Sequence, residues 1–118
     1  MKSILILLAL FNSARAFAGN CEHLDNDAKV SGAHIPAHLS GNTVIGKGRL
    51  QLYSAPNLNC KLAGTFILSG ENIDAYVEYK NFTSILYINP QTSKETMGWV
   101  ISERLKPNGQ GIGHSEKL

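Results

Sequence analysis

IDAYVEYKNFTSILYI, residues 73–88, has the clearest secondary-structure pattern in the sequence. Its first half alternates between two sets of side chains, the period of two that is typical of a β-strand. The first set is Ile73, Ala75, Val77 and Tyr79, and the opposite set is Asp74, Tyr76 and Glu78. Lys80 and Asn81 form the predicted turn. Residues 82–88 then carry apolar side chains on both faces, which indicates a central strand.

Three further short strands are predicted around this hairpin, and turn residues such as Pro56 and Gly70 separate them. They cover residues 48–53, 64–68 and 97–101, and a single helical turn follows the last of them at residues 102–106. The fold class predicted from this texture is all-β, a small domain of about five strands.

The segments on either side of the strands have no sustained period. Residues 19–42 contain polar clusters and Pro36, so we expect an irregular N-terminal arm that could include one helical turn. The sheet domain is predicted over residues 43–106. Residues 107–118 are rich in glycine and are predicted to be a flexible tail.

The N-terminus has the three parts of a secretory signal peptide. Lys2 gives a basic start, residues 4–11 are apolar, and Ala16-Phe17-Ala18 forms a small-residue cleavage site. We therefore predict a signal peptide at residues 1–18 and export to the periplasm. The apolar run is shorter than the about 20 residues that span a bilayer, so we expect no membrane anchor.

The charge of the exported chain argues against a polyanionic partner. The full sequence has 11 basic and 9 acidic residues, and removal of Lys2 and Arg15 with the signal peptide brings the formal charge to zero. No basic excess remains to favour nucleic acid or an anionic membrane surface. Phosphate-cradling glycine loops are also lacking, so nucleotide binding is not expected.

The two cysteines, Cys21 and Cys60, are predicted to form a disulfide, because an exported chain matures in an oxidising compartment. Closing a loop of this length would stabilise the fold by about 4 kcal/mol in the chain-entropy model. The bond would also pin the N-terminal arm onto the middle of the domain.

The order of several short segments resembles bacterial Src homology 3 domains over residues 44–106. These segments are RLQLYSAP at 49–56, GTF at 64–66, GE at 70–71 and GWV at 98–100, followed by Leu105. One departure is Asn81-Phe82, where many members have Gly-Trp. The resemblance implies a small, strongly bent β-barrel that binds a partner and performs no reaction. Exported bacterial domains of this kind often recognise cell-wall peptides, and others look similar to immunity proteins that neutralise wall-attacking toxins.

Aromatic residues are the main candidates for contact with a partner. So small a barrel cannot enclose every large ring, and exposed rings are good anchors for binding. Trp99 and Phe82 are expected in the core. The predicted contact residues are Tyr53, Tyr76 and Tyr87, on faces opposite the apolar ones, and the charged residues that could surround them are Arg49, Glu78 and Arg104.

Metal binding and catalysis are weaker alternatives. His23, His34 and His38 lie near Cys21, but Pro36 interrupts the helical spacing that a histidine pair needs, and Cys21 is assigned to a disulfide. No nucleophile or base with an orienting partner is evident, so we predict a non-enzyme without metal or cofactor.

Three functions are compatible with these sequence features. The first is an immunity or inhibitor protein whose aromatic surface or arm occludes a toxin, because wall-targeting modules normally accompany a catalytic domain and the sequence has none. The second is a peptidoglycan-binding module, and the third is metal handling through the histidines. The expected partner is thus a protein or a cell-wall peptide, and not nucleic acid.

Overall fold

The computed structural model describes residues 20–110 of the chain. The predicted signal peptide, residues 1–18, lies outside the described residues, as do residues 111–118 of the predicted tail. Within the described part, no helix combines the length and the apolar character needed to cross a membrane.

Residues 20–110 contain one α-helix and eight β-strands. Helix α1 covers residues 20–31. The strands are β1 Ala33–His34, β2 Gly41–Val44, β3 Leu50–Tyr53, β4 Lys61–Ile67, β5 Asn72–Tyr79, β6 Phe82–Ile88, β7 Glu95–Ile101 and β8 Leu105–Pro107. Short 3₁₀ turns occupy Ala37–Leu39, Leu58–Cys60 and Ser102–Arg104.

The strands form a single antiparallel sheet in the order β4-β3-β7-β6-β5-β2-β8, with β1 added beside β5. The sheet curls into a half-barrel that is compatible with a Src homology 3-like fold. The all-β prediction is confirmed, and each of the five predicted strands has a counterpart. The additional strands β1, β2 and β8 are short, and β2 and β8 pair with each other at the sheet margin.

The central hairpin has the predicted turn. Tyr79 pairs with Phe82 across it, and Lys80 adopts a left-handed backbone with φ 56°. A two-residue connection of this kind fits the right-handed twist of the flanking strands.

The inner face of the curled sheet holds the main core. Its buried side chains come from six of the strands, β2 to β7, and from no other element, which is what the period of two in these segments predicts. The members are Val44, Leu50, Leu52, Ile67, Ile73, Ala75, Ile85 and Val100. Each Å² of apolar area that these side chains remove from water stabilises the sheet by about 25 cal/mol.

A β-bulge divides strand β5 between the two faces of the sheet. The register places Ala75 opposite Ile85 and Val77 opposite Ser84, so Tyr76 is an extra residue on β5. Ile73 and Ala75 therefore enter the inner core, whereas Val77 packs in a second cluster. The sequence predicts one continuous apolar face from residue 73 to 79, and the bulge corrects this by turning the second half to the other side.

The second cluster lies beneath α1 on the outer face of the sheet. Trp99, Tyr53 and Val77 form it together with Ala28 of the helix. Residues 20–31 are thus helical where the sequence predicts an irregular arm. The less exposed positions of α1 fall at the helical spacing i, i+3, i+4, i+7, and they are Cys21, Leu24, Asp25 and Ala28.

The disulfide between Cys21 and Cys60 is confirmed, with a Cα–Cα distance of 5.8 Å. It joins the first turn of α1 to the 3₁₀ turn that precedes β4. At the other end of the helix, the chain continues into β1, which pairs with β5 at Ala33 and His34. The N-terminal segment is therefore attached to the sheet at both ends.

Candidate functional site

A groove of about 600 Å³ runs between α1 and the outer face of the sheet. The residues that define its walls and floor include Asp25, His34, Tyr76, Ile85, Met97 and Trp99. Largely apolar concave surfaces with a few polar groups are the usual form of a binding site.

Tyr76 and Met97 form the apolar rim of the groove. The side chain of Tyr76 is 40% exposed and that of Met97 is 62% exposed, although both residues belong to the middle of the sheet. The bulge in β5 leaves Tyr76 outside the regular pairing, and its carbonyl accepts a hydrogen bond from the Ile35 N–H at 2.8 Å. The backbone that carries the ring is thus held in place.

The floor of the groove is tied to the helix by one polar contact. Trp99 Nε1 donates to Asp25 Oδ1 at 2.7 Å, and the other carboxylate oxygen lies 3.2 Å from Lys29 Nζ. Trp99 is only 1% exposed, so its indole N–H needs a partner within the protein. Asp25 therefore fixes the position of α1 above the tryptophan and also leaves a charged pair beside the groove.

The rim has an acidic environment. Burial raises the pKa of the Tyr76 phenol above its usual value, and the carboxylates of Asp74 and Glu95 raise it further. A tyrosine phenol is neutral at physiological pH even at its usual pKa of 10.0, so this hydroxyl can donate a hydrogen bond. The same two carboxylates would attract basic groups of a molecule that enters beside Tyr76.

Tyr53 does not reach the surface. The sequence assigns it to the contact set because its face is opposite the inner core, and that face is indeed the outer one. The ring is nevertheless only 7% exposed, because the second cluster surrounds it and Phe82 meets it edge-on at 5.4 Å. Tyr53 is therefore a core residue, and it leaves the predicted contact set.

Tyr87 is half-buried and serves the fold. Its ring packs against the inner core cluster, and its hydroxyl donates to Glu71 Oε1 at 3.1 Å. Burial raises the pKa of this phenol, and the bond to Glu71 raises it further. Tyr87 does not line the groove.

Two of the three predicted charged residues are neighbours, since Arg104 Nη1 donates to the Arg49 carbonyl at 3.5 Å, and none of the three lines the groove. The Arg49 guanidinium stacks over the Phe66 ring at 4.1 Å. Arg104 donates to the carbonyl of Ile45 and, at 2.7 Å, to that of Gly48, so it closes the loop before β3. Glu78 is exposed on β5. Of the six predicted contact residues, only Tyr76 lines the groove.

The sequence reasoning missed Met97, Asp25 and His34 as groove residues. Met97 follows the period of two in β7 and could have been found as an apolar residue on the same outer face as Trp99. Asp25 could have been found through helical spacing, since it lies on the same face of α1 as Cys21 and Ala28.

The histidines are dispersed in the described part of the chain. His23 Nε2 lies 3.2 Å from Asp27 Oδ2 on the exposed side of α1, whereas His34 borders the groove and His38 lies in a 3₁₀ turn. Among residues 20–110 no three His, Cys, Asp or Glu side chains are grouped so that they could hold a metal ion.

Comparison of the chain with protein-family models, with curated proteins and with solved structures finds no match.

Proposed function

We propose that this chain is a non-catalytic binding protein of the periplasm, an immunity or inhibitor protein that neutralises a cell-wall-targeting toxin by protein–protein contact. The observation that carries the proposal is the groove between α1 and the sheet, with Tyr76 and Met97 exposed at its rim. The Cys21–Cys60 disulfide of the chain is consistent with an exported protein.

The rigidity of the groove supports a binding role. One wall is attached through the Cys21–Cys60 bond, and the floor is attached through the Trp99–Asp25 hydrogen bond. A site that is formed before its partner arrives spends little conformational entropy on binding. Aromatic and methionine side chains at the centre of such a surface are enriched among the residues that carry binding energy.

The chemistry of the rim indicates what the toxin would present. The groove is mostly apolar, so it suits an apolar side chain that projects from the toxin surface. The negative charges of Asp74 and Glu95 raise the pKa of Tyr76 at the rim. Basic residues of the toxin beside its apolar side chain would therefore be favoured. The toxin contact is therefore an apolar anchor flanked by lysine or arginine.

The first experiment is co-purification with the toxin encoded in the same locus, followed by measurement of the affinity. Met97→Ala removes an exposed side chain from the groove, and Leu58→Ala removes one of similar exposure, 64%, that lies outside it. We expect Met97→Ala to weaken the affinity about tenfold or more, the level of a residue that matters at an interface, and Leu58→Ala to change it little.

Two results would contradict the proposal. Cells that lack the protein and stay resistant to the toxin would exclude the immunity role. Equal effects of Met97→Ala and Leu58→Ala on a measurable affinity would exclude the groove as the contact surface.

A second candidate function, binding of a cell-wall peptide, is favoured by the charged groups beside the groove. Asp25 and Lys29 offer both signs of charge within 3.2 Å of each other, and such peptides carry both amines and carboxylates. Sedimentation with purified sacculi tests this function. Protein that stays in the supernatant would exclude it, whereas pelleting that Met97→Ala abolishes would favour it over the toxin.

A further inference from the structure

The two walls of the groove differ in how they depend on the rest of the protein. One wall is the sheet, whose inner core consists of strand residues alone. The other wall is α1, which contributes only one buried side chain, that of Ala28. The inner core can therefore stay packed when the helix is displaced, but the helix has little packing of its own.

Helix α1 depends on its attachments. A helix of about 12 residues is marginal in water unless tertiary contacts support it. Its C-terminal end continues into β1, which pairs with β5 at Ala33 and His34. Its first two turns are held by the Cys21–Cys60 bond and by the hydrogen bond from Trp99 to Asp25. Without the disulfide, these turns keep only this hydrogen bond, which contributes about 0.5–1.5 kcal/mol, and the partial burial of Leu24.

We propose that oxidation of Cys21 and Cys60 is the step that assembles the groove. In the reduced protein the first turns of α1 leave the sheet, Asp25 separates from Trp99, and the helical wall is lost while the inner core remains. Only the statement that a partner binds in the groove rests on the proposed function.

The chemistry is a thiol–disulfide exchange. A dithiol reductant gives up two electrons and two protons and becomes a disulfide, while the Cys21–Cys60 bond breaks to two thiols. The reverse reaction occurs in the oxidising compartment outside the inner membrane. The protein would then be unable to engage its partner before export and would become competent afterwards.

The test uses Trp99, which is the single tryptophan of the chain. The purified oxidised protein is compared with the same protein after complete reduction by dithiothreitol, which thiol titration verifies. We expect reduction to shift the tryptophan emission to longer wavelength and to increase its quenching by acrylamide. We expect the strand signal in far-ultraviolet circular dichroism to persist.

The double variant Cys21→Ala/Cys60→Ala is the matched control. It should show the spectrum of the reduced protein without any reductant, and dithiothreitol should not change it further. A change upon adding dithiothreitol to this variant would mean that the reagent acts elsewhere, and the inference would fail.

Two spectroscopic results overturn the inference. Unchanged emission after complete reduction would show that α1 stays in place without the disulfide. Loss of the strand signal would show that the inner core itself needs the bond.

The binding arm separates this inference from the proposed function. If the toxin binds the oxidised protein, we expect reduction to weaken its affinity about tenfold or more, which is at least about 1.4 kcal/mol. Equal affinity of the two forms would overturn the inference and leave the proposed function intact. Lack of any affinity for the oxidised form would overturn the proposed function, while the spectroscopic result would still decide the assembly step.

Discussion

The inner and outer faces of the same sheet are completed in different ways. The inner face is closed by its own strands, and its core side chains come from neighbouring segments of a curled hairpin array. The outer face is completed by α1, and the contact between Asp25 and Trp99 joins residues 74 positions apart. Local periodicity therefore builds one side of this fold, whereas a distant helix and a disulfide build the side that carries the groove.

A substitution in the inner core should destabilise the protein most. Leu52 is completely buried there, so Leu52→Ala leaves a cavity and should lower the free energy of unfolding by about 2–5 kcal/mol. Denaturant unfolding measures the change. A loss below about 1 kcal/mol would mean that the site collapses easily and that the inner face is not the tightly packed side of the sheet.

The next effect concerns the junction of α1 with β5. A Cβ at Gly32 would lie 2.6 Å from Val77 Cγ1 and 2.7 Å from the Ala28 carbonyl oxygen. Since a backbone oxygen cannot move freely, Gly32→Ala should destabilise the protein by about 1–3 kcal/mol through overpacking. The neighbouring exposed Ser31 provides a control, because Ser31→Ala should change the free energy of unfolding by less than about 0.5 kcal/mol. Equal values for the two variants would show that α1 does not rest closely on β5.

A smaller effect is expected within the helix. Asp25→Ala leaves the indole N–H of Trp99 without its acceptor, which should cost about 1–2 kcal/mol, the lower part of the range for an unsatisfied buried donor. Asp27 is the matched control, since it is the same residue type on the exposed side of α1 and pairs only with His23. Asp27→Ala should cost less than about 0.5 kcal/mol. The comparison fails if the two variants are equally stable in thermal unfolding.

The smallest effect is a dependence on alkaline pH. The pKa values of Tyr76 and Tyr87 are raised in the folded protein, so above the usual tyrosine pKa of 10.0 the unfolded chain loses these protons first. Stability is therefore fully present below that pH and falls as the pH rises through the raised values. Urea unfolding on the two sides of this pKa measures the loss, and Tyr76→Phe and Tyr87→Phe should each reduce it. A free energy of unfolding that rises above pH 10.0 would contradict the direction of both shifts.

The inner face was predictable because its determinants are local. The alternation in residues 73–88 predicts the central hairpin, and the short apolar segments on either side predict the remaining long strands. Cys21 and Cys60 were predictable as a pair because the sequence contains two cysteines and its N-terminus has the pattern of a signal peptide. Burial of Trp99 also follows from the sequence and is confirmed at 1% exposure.

The outer face was not predictable to the same degree. The face of α1 that meets the sheet has few apolar residues and includes Asp25. The role of Asp25 as hydrogen-bond acceptor becomes evident only when Trp99 is placed beneath the helix. No glycine or proline lies at the bulge around Tyr76, so no sequence signal predicts it. Tyr53 lies on the predicted face, but the cover over that face comes from a segment that the sequence predicts to be irregular. The groove depends on the helix and the bulge, and Tyr76 is the one residue of its lining that belongs to the predicted contact set.

Hydrogen exchange measured by NMR tests the separate construction of the two faces most directly. In the oxidised protein, the indole N–H of Trp99 should exchange slowly, and Asp25→Ala should accelerate it while the amides of Leu52, Ile85 and Val100 keep their protection. A rapidly exchanging indole in the unaltered protein would contradict the cover by α1. Equal loss of protection at the indole and at the inner-face amides in Asp25→Ala would contradict the independence of the two faces.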